Sequence, residues 1–173
     1  MTFIFGYGSL LFRPDFPHAP PRVAVVRGWM RRLDQGSPDH RGTPESLGRV
    51  ATLVEQAGAS CVGAVFEVAS DDEGAVLAAL DHRERGGYDR HVVGAEVRDS
   101  GETVSAITWV ARTANPYYLG AAPLDAMIAQ IARAVGPSGS NVEYVLRLAD
   151  TLRAWSIEDP HIFEIEAGLR VSV

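Results

Sequence analysis

The hydrophobic positions of this chain fall mainly into short runs rich in β-branched and aromatic residues. Runs of this kind, bounded by glycine, proline and polar residues, predict β-strands. Four lie before the first predicted helix and two after it, at Thr2–Phe5, Val23–Val26, Val50–Val54, Cys61–Val68, His91–Val97 and Val104–Val110. The first two thirds of the chain are therefore predicted to be mostly sheet.

The strongest helix prediction covers Ser70–Arg85. An S-x-x-E capping sequence, formed by Ser70 and Glu73, marks its start, and Gly86-Gly87 supplies a stop signal. The apolar residues between these signals follow helical spacing.

Two further helices are predicted in the last third of the chain. One runs from about Pro123 to Val135. The other begins near Asn141 behind a second S-x-x-E sequence, and its apolar residues follow helical spacing at Val145, Leu148, Leu152 and Trp155. Because strands do not alternate regularly with helices, this order predicts an α+β fold with an antiparallel or mixed sheet.

Size, charge and cysteine content narrow the class of protein. The 173 residues fit one domain, and an excess of 22 acidic over 16 basic residues disfavours a nucleic-acid partner. Neither a membrane span of about 20 apolar residues nor the basic flank of a signal peptide is evident. The single cysteine, Cys61, excludes an internal disulfide and is expected to be a buried residue of a cytoplasmic protein.

A glycine-containing loop, FGYGSLLF at residues 5–12, follows the first predicted strand. It lacks the third glycine and following helix of a dinucleotide fingerprint, the Lys-Ser/Thr pair of a P-loop, and the G-x-S-x-G surroundings of a nucleophilic serine. Two interpretations remain. The loop is either a plain tight turn or a turn whose amide groups bind a carboxylate or an oxyanion.

Glu84 interrupts the apolar stripe of the first predicted helix. Val76, Leu77 and Leu80 define the stripe, and four residues further on a carboxylate occupies a core position. The helix dipole and partial burial both disfavour the charged carboxylate there, so both should raise its pKa, as suits a general base. The alternatives are that the helix ends before Glu84, or that Glu84 pairs with Arg83, Arg85 or Arg90.

A polar segment, QGSPDHRGTPE at residues 35–45, lies between two predicted strands. Its varied donors and acceptors fit recognition of a small zwitterion better than a solvated turn, which is the alternative. The five histidines show no metal-ligand spacing, so no metal is predicted and His40 is interpreted as a hydrogen-bonding or structural residue. A catalytic pair of Ser37 and His40 is disfavoured because near neighbours in a turn seldom adopt triad geometry.

Several blocks of the sequence also occur, in this order, in a known family: FGYGSLL, QGSPDHRGTPE followed by GRVATLV, LDHRERGGY, NPYYLG and GPSGSNVEYVLRLADTL. Together they resemble the signature blocks of the ChaC-type γ-glutamylcyclotransferases. The resemblance extends from Phe3 to about His161. Two departures are visible. Leu33-Asp34 replaces residues that are more often aromatic, which is expected to affect the shape of the pocket, and Arg85 replaces a commoner lysine.

The resemblance implies a single γ-glutamylcyclotransferase-like domain over residues 1–173, a small β-barrel-like sheet with flanking helices. It implies cleavage of a γ-glutamyl amide by the substrate's own amine, without a cofactor. The implied substrate is reduced glutathione, and the products are 5-oxoproline and cysteinylglycine. Glu84 matches the family's catalytic glutamate, which would remove a proton from the attacking amine and return it to the leaving amine.

The implied substrate-binding residues come from three parts of the chain. They are the loop residues Tyr7, Gly8, Ser9 and Leu10, the second-block residues Gln35, Ser37 and Arg41, and the tyrosines Tyr88 and Tyr144. Arg41 could hold a substrate carboxylate by a bidentate contact. For the two tyrosines, a core position with a satisfied hydroxyl is the alternative.

Two other functions remain open from the sequence. One is a cyclotransferase that acts on other γ-glutamyl amines or amino acids. The other, which the resemblance also suggests, is a non-catalytic regulator of cation transport, for which Glu84 would be dispensable. The sequence leaves open whether the protein is a monomer or a homodimer.

Overall fold

A closed barrel of five strands forms the centre of the protein in the computed structural model, which describes residues 1–172. The strands are β1 Thr2–Gly6, β2 Arg22–Ser37, β3 Gly48–Val68, β4 Tyr88–Val97 and β5 Thr103–Ala111. Their order around the barrel is β1-β3-β2-β4-β5, and only the closing pair of β1 and β5 is parallel. The predicted α+β class and mixed, barrel-like sheet are confirmed.

Strands β2 and β3 are longer than their hydrophobic runs predict. The predicted strands Val50–Val54 and Cys61–Val68 are parts of the single strand β3. The residues between them are largely exposed, so the hydrophobic pattern is lost there, although β3 continues and Glu55 and Ser60 still pair with β2. On β2 the register shifts between Arg27 and Trp29, where Gly28 has a φ of 82°, as expected of a glycine at a bulge.

Four helices accompany the barrel: α1 Ser70–Glu84, α2 Leu124–Arg133, α3 Asn141–Ala154 and α4 Pro160–Ser172. The capping box predicted at Ser70 is wrong, because Ala69 is the N-cap and the Ser70 hydroxyl instead accepts a bond from the amino terminus. The cap predicted for α3 is confirmed, since Ser140 Oγ accepts from the backbone amide of Glu143 at 3.1 Å.

Helix α4 was not predicted from the sequence. Its start carries two standard signals, a proline at the first helical position and an aspartate before it, and Asp159 Oδ1 accepts from the amide of Ile162 at 3.1 Å. Ile162, Ile165 and Leu169 are fully buried. The helix is therefore held by a cap at one end and by an apolar face along its length.

One apolar core connects the barrel with the helices. Phe5, Phe66, Leu33 and Leu53 are among its fully buried side chains, and α2, α3 and α4 contribute further members, which include Met127, Ile131, Leu148, Leu152 and Ile165. Cys61 is buried in this core as predicted. Within residues 1–172, no helix is long and apolar enough to cross a membrane.

Candidate active site

A pocket of about 370 Å³ opens where the loop after β1, the end of α1 and the segment after β2 meet. This volume lies at the small end of the range for ligand pockets. The pocket brings together all the predicted site residues except Gln35, namely Tyr7, Gly8, Ser9, Leu10, Ser37, Arg41, Glu84, Tyr88 and Tyr144. They are contributed by distant parts of the sequence, so the fold assembles the site.

Glu84 is the last residue of α1 and lies on the pocket wall with 19% of its side chain exposed. Burial raises the pKa of its carboxyl to about 7, and the negative charge of Asp39 adds to the effect, whereas the charge of Arg83 opposes it. Arg83 forms an ion pair with Glu84, as one of the alternatives predicted, but Arg83 Nε is 3.8 Å from Glu84 Oε1, beyond hydrogen-bond distance. Arg90 pairs with Asp81 instead. Glu84 can therefore gain and lose a proton near neutral pH.

The loop after β1 forms a single 3₁₀ turn, Ser9–Leu11. The first amide that donates a hydrogen bond within this turn is that of Leu11, which binds Gly8 O at 3.0 Å. The amide groups of Ser9 and Leu10 therefore make no hydrogen bond within the turn. Ser9 Oγ accepts from Arg83 Nη2 at 2.9 Å, which ties the loop to the end of α1. The loop is thus both a tight turn and a source of unused amide donors.

Gly8 allows this loop to lie close to the pocket wall. A Cβ at this position would stand 3.3 Å from Tyr144 Oη and 3.3 Å from Ala51 Cβ. These distances are tighter than most Cβ contacts, so any larger side chain would have to displace the tyrosine or the strand. The position therefore favours glycine for its small size.

Arg41 supplies the cationic group on one side of the pocket. Its guanidinium is buried and donates to Glu143 Oε2 at 3.0 Å and to Ser140 O at 3.2 Å. A guanidinium has five N–H groups, so these bonds leave donors that could bind a carboxylate. Arg41 and Glu84 therefore give the pocket a cationic side chain with free donors and a carboxyl with a raised pKa. Other charged residues also line it, namely Arg13, Asp15, Asp39 and Arg83.

Ser37 shapes the turn that presents Arg41. Its hydroxyl oxygen accepts from the backbone amides of His40 at 3.3 Å and of Arg41 at 2.9 Å. The imidazole of His40 is 3.2 Å from Ser138 Oγ, which agrees with its predicted hydrogen-bonding role. This arrangement gives no support to a catalytic pair of Ser37 and His40.

Three tyrosines line the pocket with their hydroxyls bound to backbone groups. Tyr144 Oη accepts from the amide of Ala51 at 3.0 Å, Tyr88 Oη donates to Ala51 O at 2.8 Å, and Tyr7 Oη donates to Trp109 O at 2.5 Å. Burial raises the pKa of Tyr144 to about 12 and those of the other two well above their usual value. The hydroxyls are therefore neutral, and each of them makes one hydrogen bond to a backbone group while its residue lines the pocket.

Gln35 lies behind the pocket rather than in it. It belongs to β2, not to a loop, and is completely buried. Its amide nitrogen donates to Gly86 O at 3.2 Å, and its amide oxygen accepts from Asn115 at 3.0 Å. Gln35 therefore supports the segment that follows Glu84. Leu33 is also fully buried and is not among the residues that line the pocket, so any effect on the pocket's shape would act through packing behind its wall.

The sequence analysis missed several residues that shape the site. Asp39 lies within a recognised block and raises the pKa of Glu84, but only the fold shows that the two residues are close. Trp109 lines the pocket from β5. Arg31 carries a detectable signal, because it shares the period-2 alternation of Trp29 and Leu33 and should therefore face inward. Within the part of the chain that the structure describes, no cluster of His, Cys, Asp or Glu could hold a metal.

Comparisons with known proteins agree on one family. A family model described as ChaC-like protein matches residues 2–171. The chain is 40% identical to glutathione-specific γ-glutamylcyclotransferase 1 of Danio rerio, over 98% of this chain and 89% of that protein. It is 41% identical to the protein of that name from Homo sapiens, over 94% and 75% of the two chains.

A solved structure also resembles the fold closely. The crystal structure of a γ-glutamyl cyclotransferase specific to glutathione from yeast matches with a TM-score of 0.90 at 25% identity. The match covers 98% of this chain and 96% of the yeast chain. Sequence and fold therefore point to the same set of relatives.

Proposed function

This chain belongs to the ChaC-like protein family, and we propose that it is a glutathione-specific γ-glutamylcyclotransferase. The reaction converts glutathione to 5-oxoproline and cysteinylglycine. The observation that carries the proposal at the level of residues is the position of Glu84, a carboxyl with a pKa of about 7 on the wall of a small pocket. The pocket also contains a buried arginine and a loop with unused amide groups.

The chemistry needs one group that accepts a proton and later returns it. The α-ammonium of the γ-glutamyl group loses a proton to Glu84, and the free amine attacks the γ-carbonyl carbon. A C–N bond forms and closes the five-membered ring of 5-oxoproline. The ring nitrogen gives up its second proton as the amide C–N bond breaks, and the amine of cysteinylglycine takes up this proton and the one held by Glu84, so that it leaves as an ammonium group. A carboxyl with a pKa near 7 suits both steps at neutral pH.

The remaining pocket residues suit the charges of the substrate. Negative charge grows on the carbonyl oxygen during the attack, and backbone amides of the loop at residues 7–10 would stabilise it. Arg41 would hold a carboxylate of the substrate through the donors that Glu143 and Ser140 leave free. We further propose that the enzyme works in the cytoplasm, where reducing conditions keep its cysteine free.

Product analysis tests this function directly. Purified protein is incubated with reduced glutathione, with and without a chelator, and the products are identified by mass spectrometry. We expect equimolar 5-oxoproline and cysteinylglycine at the same rate in both samples. Faster release of 5-oxoproline from γ-glutamyl amino acids than from glutathione would overturn the glutathione specificity. A chelator-sensitive reaction that zinc or magnesium restores would overturn the metal-free mechanism.

A further inference from the structure

Arg31 is a buried cation that lies outside the pocket, and the mechanism above does not use it. It is located on β2 with its side chain 1% exposed. Its three groups of donors reach three separate parts of the fold. Nε donates to Tyr7 O at 2.6 Å, Nη2 donates to Val62 O at 2.5 Å, and Nη1 pairs with the carboxylate of Asp159. The bond to Tyr7 reaches the first residue of the pocket loop.

The bond from Arg31 fixes the orientation of the peptide group between Tyr7 and Gly8. No peptide bond among the described residues is cis, so the C=O of Tyr7 and the N–H of Gly8 point in opposite directions. Arg31 is absent from the pocket lining, and it holds the carbonyl on the buried side of the loop. The amide of Gly8 is thereby directed away from Arg31, and Gly8 itself lines the cavity, so we infer that this amide faces a bound substrate.

The amide of Gly8 is available to a ligand. Within residues 1–172 its N–H group has no hydrogen-bond acceptor. By contrast, the amides of Leu11 and Phe12, further along the loop, donate to Gly8 O and Ser9 O. Donors that stabilise a developing oxyanion must be fixed before the reaction starts. A rotation of the Tyr7–Gly8 peptide would turn this donor away from the cavity, and the bond to Arg31 opposes that rotation.

The partner of Arg31 extends this support to the C-terminal helix. Asp159 binds Arg31 through Oδ2 and caps α4 through Oδ1, which accepts from Ile162 at 3.1 Å. The guanidinium thus joins the pocket loop, β3 and the start of α4. A rigid support of this kind around a site keeps its reacting groups within small positional tolerances.

We propose that Arg31 is a positioning residue that fixes the Tyr7–Gly8 peptide so that the amide of Gly8 serves as an oxyanion donor. The proposal rests on the function proposed above and deepens it. Arg31 does not touch the substrate. Its effect should therefore appear in turnover and in the order of the loop, and the ionisation of Glu84 should be unchanged.

Four variants test the proposal. Arg31→Lys keeps a charge that can pair with Asp159 but cannot hold three acceptors. Arg31→Met combined with Asp159→Asn removes the pair together, so that no buried carboxylate is left without its partner. Asp159→Asn alone keeps the bond from Arg31 to Tyr7. The matched control is Arg27→Met, because Arg27 is an exposed arginine on the same strand and its guanidinium binds Glu96.

Two measurements distinguish positioning from general loss of structure. The first is steady-state turnover of glutathione by folded protein, with its pH profile. The second is hydrogen exchange of the peptide that covers residues 5–12, compared with peptides from α3. We expect kcat to fall about 100-fold in the double variant, with a smaller fall in Arg31→Lys, because loss of one oxyanion donor costs about 10²–10³ in kcat. Exchange should accelerate in the loop only, and the acid limb of the profile should keep its position.

The outcomes separate this proposal from the proposed function. Folded variants that keep wild-type turnover and wild-type loop exchange would overturn the role of Arg31. Lost turnover with unchanged loop exchange, or an equal loss in Asp159→Asn or Arg27→Met, would overturn it as well. If the wild type fails to cleave glutathione, the proposed function is wrong, and the exchange data still decide whether Arg31 orders the loop.

Discussion

Replacing Glu84 by glutamine should abolish catalysis and stabilise the fold. Glutamine has nearly the same size and keeps its hydrogen-bonding reach, so the packing at the end of α1 should survive. Only the proton transfer is lost. General acid–base groups contribute about 10²–10⁴ in rate, or about 3–5 kcal/mol of activation free energy. We therefore expect kcat for glutathione to fall by at least about 100-fold.

The gain in stability follows from the raised pKa. The pKa of Glu84 rises from its ordinary value of 4.5 to about 7 in the folded protein, so the folded state holds this proton more tightly than the unfolded chain. Ionisation of Glu84 therefore costs stability. The cost is absent below pH 4.5, grows as the pH rises to 7, and is constant above that. At about 1.4 kcal/mol per pH unit, it reaches about 3 kcal/mol at most.

The assay compares the free energies of unfolding of the wild type and Glu84→Gln by urea titration between pH 4 and pH 8. The free energy of unfolding of the variant, relative to that of the wild type, should increase as the pH rises across this range, because glutamine carries no charge to desolvate. Glu73→Gln, in the first turn of the same helix, is the control. It removes a charge that favours the helix dipole, so it should lose a few tenths of a kcal/mol and keep full activity.

Three results would refute this reasoning. Near-normal turnover by Glu84→Gln would mean that another group transfers the proton. An inactive variant whose stability relative to the wild type does not change with pH would mean that the carboxyl of Glu84 is not desolvated in the folded protein. A lowered stability at neutral pH would show that Glu84 is a structural ion-pair partner.

Three other predictions concern the pocket. Oxidised glutathione should not be turned over, because it is about twice the size of the reduced form and the pocket has a volume of only about 370 Å³. Comparable rates for the two forms would show that the site is an open groove. Asp39→Asn should move the acid limb of the pH profile of kcat/KM to lower pH, because the charge of Asp39 raises the pKa of Glu84. An acid limb that keeps its position or moves to higher pH would contradict this prediction. Tyr144→Phe should lower the free energy of unfolding by about 1–3 kcal/mol, because the buried amide of Ala51 loses its hydrogen-bond acceptor. An unchanged midpoint of urea unfolding would show that this amide finds another partner.

The sequence determined much of the secondary structure, because hydrophobic periodicity reports which face of each element is buried. The strands, the first three helices and the cap of α3 follow from local patterns. The pattern failed where burial and pairing do not coincide. Residues 55–60 belong to β3 and Glu55 and Ser60 pair with β2, but the segment stays largely exposed, so β3 was divided into two predicted strands.

The sequence also indicated Glu84, because a carboxylate on an apolar helical stripe is a local anomaly. The remaining members of the site came from the resemblance to a family, since spacing alone does not show that residues near position 8, 41 and 144 share one pocket. Gln35 illustrates the limit of that inference. It belongs to a recognised block, yet its amide binds the backbone after Glu84 from behind the pocket wall.

Only the tertiary structure decided how the charges act on one another. Coulombic effects depend on distance and burial, and the fold brings Asp39, which follows β2, to Glu84 at the end of α1. The same holds for Arg31, whose inward position can be read from the alternation on β2. Its contact with Tyr7 exists because β1 and β2 lie on either side of β3 in the barrel. Local patterns determine which side chains are buried, and the closure of the barrel determines which of them meet.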